Sequence, residues 1–167
     1  MIMSEVEHVL LSELLQWYGL QRHDFLNHWQ VIMGNLQLQQ PEKALAYMKE
    51  TVVAQEQEQK IAQIHETALA AILLGLIIGL RQDGITATLD FPEAMKKEDF
   101  WTDHWQDDYA VELYGYTREC LDVSSQSQQV LNVTAEVYLF DEPGGLACQV
   151  LLEDEETVFF DKMVKLR

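Results

Sequence analysis

The segment Gln21-Arg22-His23-Asp24-Phe25-Leu26-Asn27-His28-Trp29-Gln30-Val31-Ile32 sits at the centre of a long stretch rich in Leu, Gln, Glu and Ala. From Met1 to about Ile64 that stretch carries turn signals only around Gln37 to Pro41. On a helix at about 100° per residue, with His23 at zero, Ser12, Gln16, Gly19, Asn27, Gln30, Gly34 and Gln37 all fall within roughly 40° of it. This stripe is wholly polar or glycine. Leu11, Leu14, Tyr18, Phe25, Trp29, Ile32 and Leu36 recur at three- and four-residue steps on the opposite side. The pattern predicts an amphipathic helix with His23 facing solvent midway along it.

Two helices are expected, of about 35 and about 23 residues, joined by a tight connection. Ser4 and Glu7 have the spacing of a capping box. Pro41 suits the first position of the second helix, with Glu42 at the positive end of its dipole. Leu45, Met48 and Val52 give the second helix an apolar stripe too. A lone hairpin leaves these stripes wet, so self-association into a four-helix bundle is the simplest way to cover them.

The pattern changes after Thr67. Ala68 to Leu80 (ALAAILLGLIIGL) is the most apolar run. Thirteen helical residues cover about 20 Å, short of the roughly 30 Å hydrocarbon slab, so a buried helix is expected and not a membrane span. Asp83-Gly84 reads as its stop, Ile85 to Phe91 as a strand ended by Pro92, and Asp107 to Leu121 as a helix. Leu131 to Phe140 and Leu146 to Leu152 flank Asp141-Glu142-Pro143-Gly144-Gly145, a hairpin signal, and Thr157 to Phe160 reads as a last strand. The Gln55-Glu56-Gln57-Glu58-Gln59 run reads as a solvated helix face. The expected class is therefore α+β. A helical hairpin over residues 1–65 dimerises into a four-helix bundle, and a small α+β unit with a mostly antiparallel sheet follows over 66–167.

Composition bounds the function. The 167 residues are 48% hydrophobic, 10% aromatic and 23% charged, which excludes global disorder. The net charge of −17 repels phosphate backbones and anionic lipid, so nucleic acid and membrane are poor partners. No basic region precedes an apolar core at the amino terminus, so a secretion signal is not expected. Cys120 and Cys148 show no metal or redox spacing and fit packing roles in a reducing cytosol. A cytoplasmic protein is expected.

Glycine inside a helix costs about 1 kcal/mol against alanine, and Gly19 and Gly34 both lie on the His23 face. On spacing alone two readings stand: close approach of a partner along that face, with Gln16, Gly19, Gln30 and Gly34 as docking positions, or an ordinary surface histidine beside neutral glycines.

The stretch RHDFLNHWQVIMGNLQLQQPEKALAYMKE resembles the sporulation initiation phosphotransferase B family. It also resembles the related sensor histidine kinases, whose phosphoacceptor motif reads roughly R-H-[DE]-[FY]-x-N. Arg22, His23, Asp24, Phe25 and Asn27 match that motif. ALAAILLGLIIGLRQDGITATLDF is similar to the family's apolar helix, glycine and strand, and the resemblance weakens beyond about residue 91. It implies a histidine phosphotransferase. His23 would accept a phosphoryl group from the phosphoaspartate of one response-regulator receiver domain and pass it to the aspartate of another. Neutral imidazole suits this as a nucleophile near pH 7. Asp24 would orient or polarise the imidazole, or serve as a surface ion-pair partner. Asn27 would contact phosphoryl oxygens or a receiver, and Arg22 would steady the phosphohistidine charge or pair with a nearby acid. His28 lies about 140° from His23 and reads as half-buried packing. The family pattern leaves Mg²⁺ to the partner receiver, so no cofactor or metal of this chain's own is expected.

The second half bears on kinase activity. The segment DDYAVELYGYTRECLD contains no asparagine to hold Mg²⁺-ATP, and the one glycine pair lies in the hairpin signal. No glycine loop precedes a helix as a nucleotide site would require. The unit thus resembles a degenerate histidine-kinase ATPase domain, without ATP-dependent activity. Two rivals remain. One is a non-catalytic dimeric docking module for a receiver or kinase; Trp101 and Trp105, which flank an acidic stretch, read as small-domain core or as a partner site. The other is a metal-dependent HD-type phosphohydrolase using His23-Asp24 with His65 or His104. His8, His65 and His104 have surface or packing positions by default.

Overall fold

The computed structural model describes residues 5–127 and 132–167. Ser4, the expected cap of the first helix, and Leu131, the expected start of a strand, lie outside them. Helix α1 spans Glu5–Gln37 and α2 spans Pro41–Ile61, with Pro41 in the first turn as its fixed φ favours. Between them Gln39 adopts φ 57°. The amide of Gln39 donates to the Leu36 carbonyl at 3.0 Å and that of Gln40 to Asn35 at 2.8 Å. These are the two bonds of a Schellman stop, here built on a non-glycine residue.

Helix α3 spans Thr67–Gln82. Gly84 follows at φ 77°, its amide donating to Arg81 and that of Ile85 to Leu80. A second Schellman motif thus closes α3, sealed by the buried Leu80 and Ile85. Strand β1 (Thr86–Asp90), helix α4 (Glu98–His104), helix α5 (Tyr109–Gln126) and strands β2 (Thr134–Glu142), β3 (Gly145–Glu153) and β4 (Val158–Leu166) complete the chain. The sheet order is β1-β2-β3-β4, with β1 parallel to β2 and the other pairs antiparallel. The α+β class and the mostly antiparallel sheet are as the sequence predicts.

Three local readings need correction. Helix α4 forms between Pro92 and Asp107, where the sequence reading assigns no element. It is one short helix, anchored by the buried Trp101, whose Nε1 donates to the Met95 carbonyl at 3.0 Å. Strand β4 runs to Leu166 and does not stop at Phe160. Its residues are mostly exposed and include Asp161, Lys162 and Lys165, so the apolar alternation that marks a half-buried strand is weak there. The third correction concerns the Gln55–Gln59 run, which is not simply solvated. Gln57 Oε1 accepts from the Leu89 amide at 2.8 Å, and Lys60 Nζ donates to the Leu89 carbonyl at 3.1 Å. Side chains of α2 therefore occupy backbone groups on the free edge of β1 that would otherwise be open to pairing.

The core gathers around α3, with Leu69, Leu73, Leu76 and Leu80 fully buried. It continues into Leu113 and Cys120 of α5, Val137 of β2 and Val150 of β3, and reaches Leu10 of α1 and Ile61 of α2. The hairpin and the sheet-bearing half thus share one packed interior. Cys120 and Cys148 are buried and free, and burial pushes both thiols up to about 12. They pack as small apolar residues and stay in the unreactive thiol form.

Gly75 sets how closely α1 lies on α3. A Cβ there would fall 2.4 and 2.6 Å from two ring atoms of Trp17. Alanine gains about 1 kcal/mol of helix propensity, but forcing a rigid indole aside costs about 1–3 kcal/mol. Gly75→Ala is therefore expected to lower the unfolding free energy. In a Trp17→Leu background the same change should become neutral or stabilising. Urea denaturation of the four proteins of this cycle measures both.

Candidate functional site

His23 lies midway along α1, about four turns before the Schellman stop, and its side chain is 73% exposed. Asn27, one turn on, places Nδ2 at 3.3 Å from His23 Nδ1. Asp24 places Oδ1 at 3.8 Å from the same nitrogen. These two neighbours select opposite tautomers. A bond from the Asn27 amide needs a bare Nδ1 and puts the ring proton on Nε2, whereas the Asp24 carboxylate favours the proton on Nδ1 and leaves Nε2 with its lone pair. Both contacts are to Nδ1.

Asp24 reaches further than the sequence indicates. Its Oδ2 is 3.8 Å from Nε of Arg81, in the last turn of α3. The Arg81 guanidinium also pairs through Nη1 with Glu58 Oε1 of α2. Glu58 Oε2 in turn accepts from Gln21 Nε2 at 2.7 Å. One cation from α3 thus bridges carboxylates from α1 and α2, immediately behind the imidazole. Arg22 is exposed and makes no ion pair among the described residues, so the cation paired with Asp24 is Arg81 and not its chain neighbour.

Sequence reasoning missed Arg81, Glu58 and Gln21. Arg81 carried a signal, being the only charged residue in the sixteen of α3. Glu58 carried none, since it sits within an alternating polar run.

The other positions divide cleanly. Gln16, Gly19 and Gln30 are exposed and Gly34 half-exposed, and a Cβ at either glycine would meet nothing within 4 Å. Packing inside the chain therefore gives no reason for glycine at either position. His28 is half-buried, and its Nδ1 is 2.7 Å from the Tyr47 hydroxyl of α2, a cross-hairpin bond that packing alone did not suggest. His104 stacks on Phe100 and lies 3.1 Å from Asp141, while His8 and His65 are exposed. Trp101 is core. Among the described residues no group of three His, Cys, Asp or Glu is arranged to hold a metal ion, and no helix is long and apolar enough to cross a membrane.

Residues 3–64, which form the hairpin, match the family model described as sensor kinase SpoOB-type, alpha-helical domain. The chain is also similar to sporulation initiation phosphotransferase B of Bacillus subtilis (strain 168). The two are 25% identical over 134 residues, which is 80% of this chain. The match takes in 56% of that relative's own length, so the chain spans little more than half of it.

The His28–Tyr47 bond fixes the hairpin next to the site. Tyr47→Phe removes one hydrogen bond without changing the ring, and is expected to cost about 0.5–1.5 kcal/mol. The shift in urea midpoint at constant slope measures it.

Proposed function

We propose that this chain is a phosphorelay phosphotransferase that carries a phosphoryl group on Nε2 of His23 between aspartates of response-regulator receiver domains. The observation that carries this reading is a solvent-facing imidazole whose Nδ1 alone is engaged, on a helix face with room for another protein. The lone pair of Nε2 attacks the phosphorus of the donor's phosphoaspartate. A P–N bond forms as the P–O bond breaks, and the donor carboxylate departs with its electron pair. Asp24, 3.8 Å from Nδ1, favours the tautomer with the proton on Nδ1 and offsets the positive charge that develops on the ring. In the return step an aspartate oxygen of the second receiver attacks phosphorus, and neutral imidazole leaves.

Positioning and charge neutralisation do most of the work in such a transfer. The Mg²⁺ that neutralises the phosphoryl group belongs to the receiver, and Asn27 and Arg22 approach the phosphoryl oxygens from this side. The sheet-bearing half is read as a degenerate relative of a kinase ATPase domain. In support, α5 carries no asparagine, and Gly144 and Gly145 serve the β2–β3 turn. The setting proposed is cytoplasmic.

Two copies would pair through their hairpins into a four-helix bundle. Leu14, Tyr18, Phe25 and Trp29 of α1 and Leu45, Met48 and Val52 of α2 are exposed in the single chain, an apolar stripe on each helix of the kind that marks an interface. His23 lies outside that face, so a dimer would present two independent acceptor sites. Sedimentation velocity should give twice the 19.3 kDa chain mass, and Trp29→Glu with Val52→Glu should return it to the monomer value. A monomer for the wild type would remove the bundle.

The transfer itself is tested with a panel of phosphorylated receiver domains. Base-stable, acid-labile label should appear on the wild type and be lost in His23→Ala. If the wild type takes no label but still binds receivers, a docking module becomes the better description.

A further inference from the structure

We infer that Arg81 is a positioning residue for the phosphoacceptor, acting through Asp24 and setting which ring nitrogen of His23 carries the proton. This rests on the phosphotransfer reading for its consequence, but its physical basis stands on the geometry of α1, α2 and α3.

Asp24 is a bridging carboxylate, with Oδ2 toward Arg81 Nε and Oδ1 toward His23 Nδ1, each at 3.8 Å. A single rotation about its side chain would lose both. Left alone, a carboxylate 46% exposed on a helix surface samples several rotamers and spends little time on the histidine. Arg81 is better held. Its side chain is 34% exposed and pairs with Glu58, which is 19% exposed and itself fixed by Gln21. The planar guanidinium presents donors in a fixed fork, so anchoring Nη1 on Glu58 leaves the buried Nε, which makes no hydrogen bond, facing Asp24 at ion-pair distance. The backbone beneath it is also fixed, because the Arg81 carbonyl accepts the Gly84 amide in the α3 stop at 3.0 Å.

The tautomer follows from this. Asn27 pulls the His23 proton toward Nε2, and Asp24 pulls it toward Nδ1. Only the second form exposes a lone pair at Nε2. By keeping Asp24 on the Nδ1 side, Arg81 raises the population of the nucleophilic tautomer. Because Arg81 belongs to α3, the sheet-bearing half of the chain has a direct mechanical hold on the acceptor, and anything that shifts α3 against α1 would change the reactivity of His23.

Ring ¹⁵N chemical shifts of His23 report the tautomer without any phosphotransfer partner. Arg81→Gln is expected to move the wild-type protein toward Nε2–H, and Asn27→Ala to move it the other way. Receiver-to-protein transfer should slow about tenfold in Arg81→Gln and in Asp24→Asn. The double variant should be no slower than Asp24→Asn alone, because the two residues act in series. Arg81→Lys retains a cation but not the fork, and should recover part of the rate. Should Arg81→Gln fail to fold, Arg81→Lys and Glu58→Gln carry the same test, since either loosens the anchor.

Unchanged nitrogen shifts in a folded Arg81 variant would overturn the inference. So would an equal slowing by Arg81→Gln in the wild-type and Asp24→Asn backgrounds. A wild type that takes no label would refute the phosphotransfer reading and leave the nitrogen shifts to judge Arg81 separately.

Discussion

Helix α3 must be dry on nearly every side, and the chain is arranged so that it is. Its leucines at 69, 73, 76 and 80 are fully buried, and α1, α2, α5 and β1 all pack against it. Burying apolar surface on this scale is worth about 1.5–3 kcal/mol per large side chain, so displacing any one of those neighbours is costly. The single charge of α3, Arg81, comes in its last turn, where the helix runs out of core and meets the acidic side chains of the hairpin. The same constraint that buries the helix therefore delivers a cation to the site.

The hairpin has the opposite character. Leu10, Ala44 and Ile61 are buried and Val6, Trp17, Ile32 and Tyr47 half-buried, but the other apolar residues of α1 and α2 stay exposed in the single chain, and its contacts include polar ones such as His28 to Tyr47 and Gln21 to Glu58. Each contributes about 1 kcal/mol net, far less than α3 supplies. The hairpin is held at one end by Leu10, Trp17 and Ile61 against the shared core, while the length beyond His28 extends from it. His23, placed just where the anchored and the extended parts meet, is exposed to solvent yet lies beside Asp24, which faces Arg81 of the buried helix.

Much of this was readable along the chain. Helix lengths, the Pro41 start, the Asp83-Gly84 stop and the Pro143-Gly144 turn depend on residues within a few positions of each other, and local sterics decide them. The exposure of His23 followed from helical periodicity, with no tertiary knowledge. Strand β4 was read too short because an exposed strand carries charge where a buried one alternates. The short α4 had too few residues to set a period.

His23, Asp24 and Asn27 share two turns of one helix, so the sequence alone placed them together and fixed the chemistry open to them. The sequence did not determine the partner of Asp24. Arg81 and Glu58 are 23 positions apart, and Gln21 and Glu58 are 37 apart, separations at which no periodicity carries information. They meet because α3, forced inward by its own hydrophobicity, crosses the hairpin at one height and no other. The packing of the buried helix decided which cation stands behind the histidine.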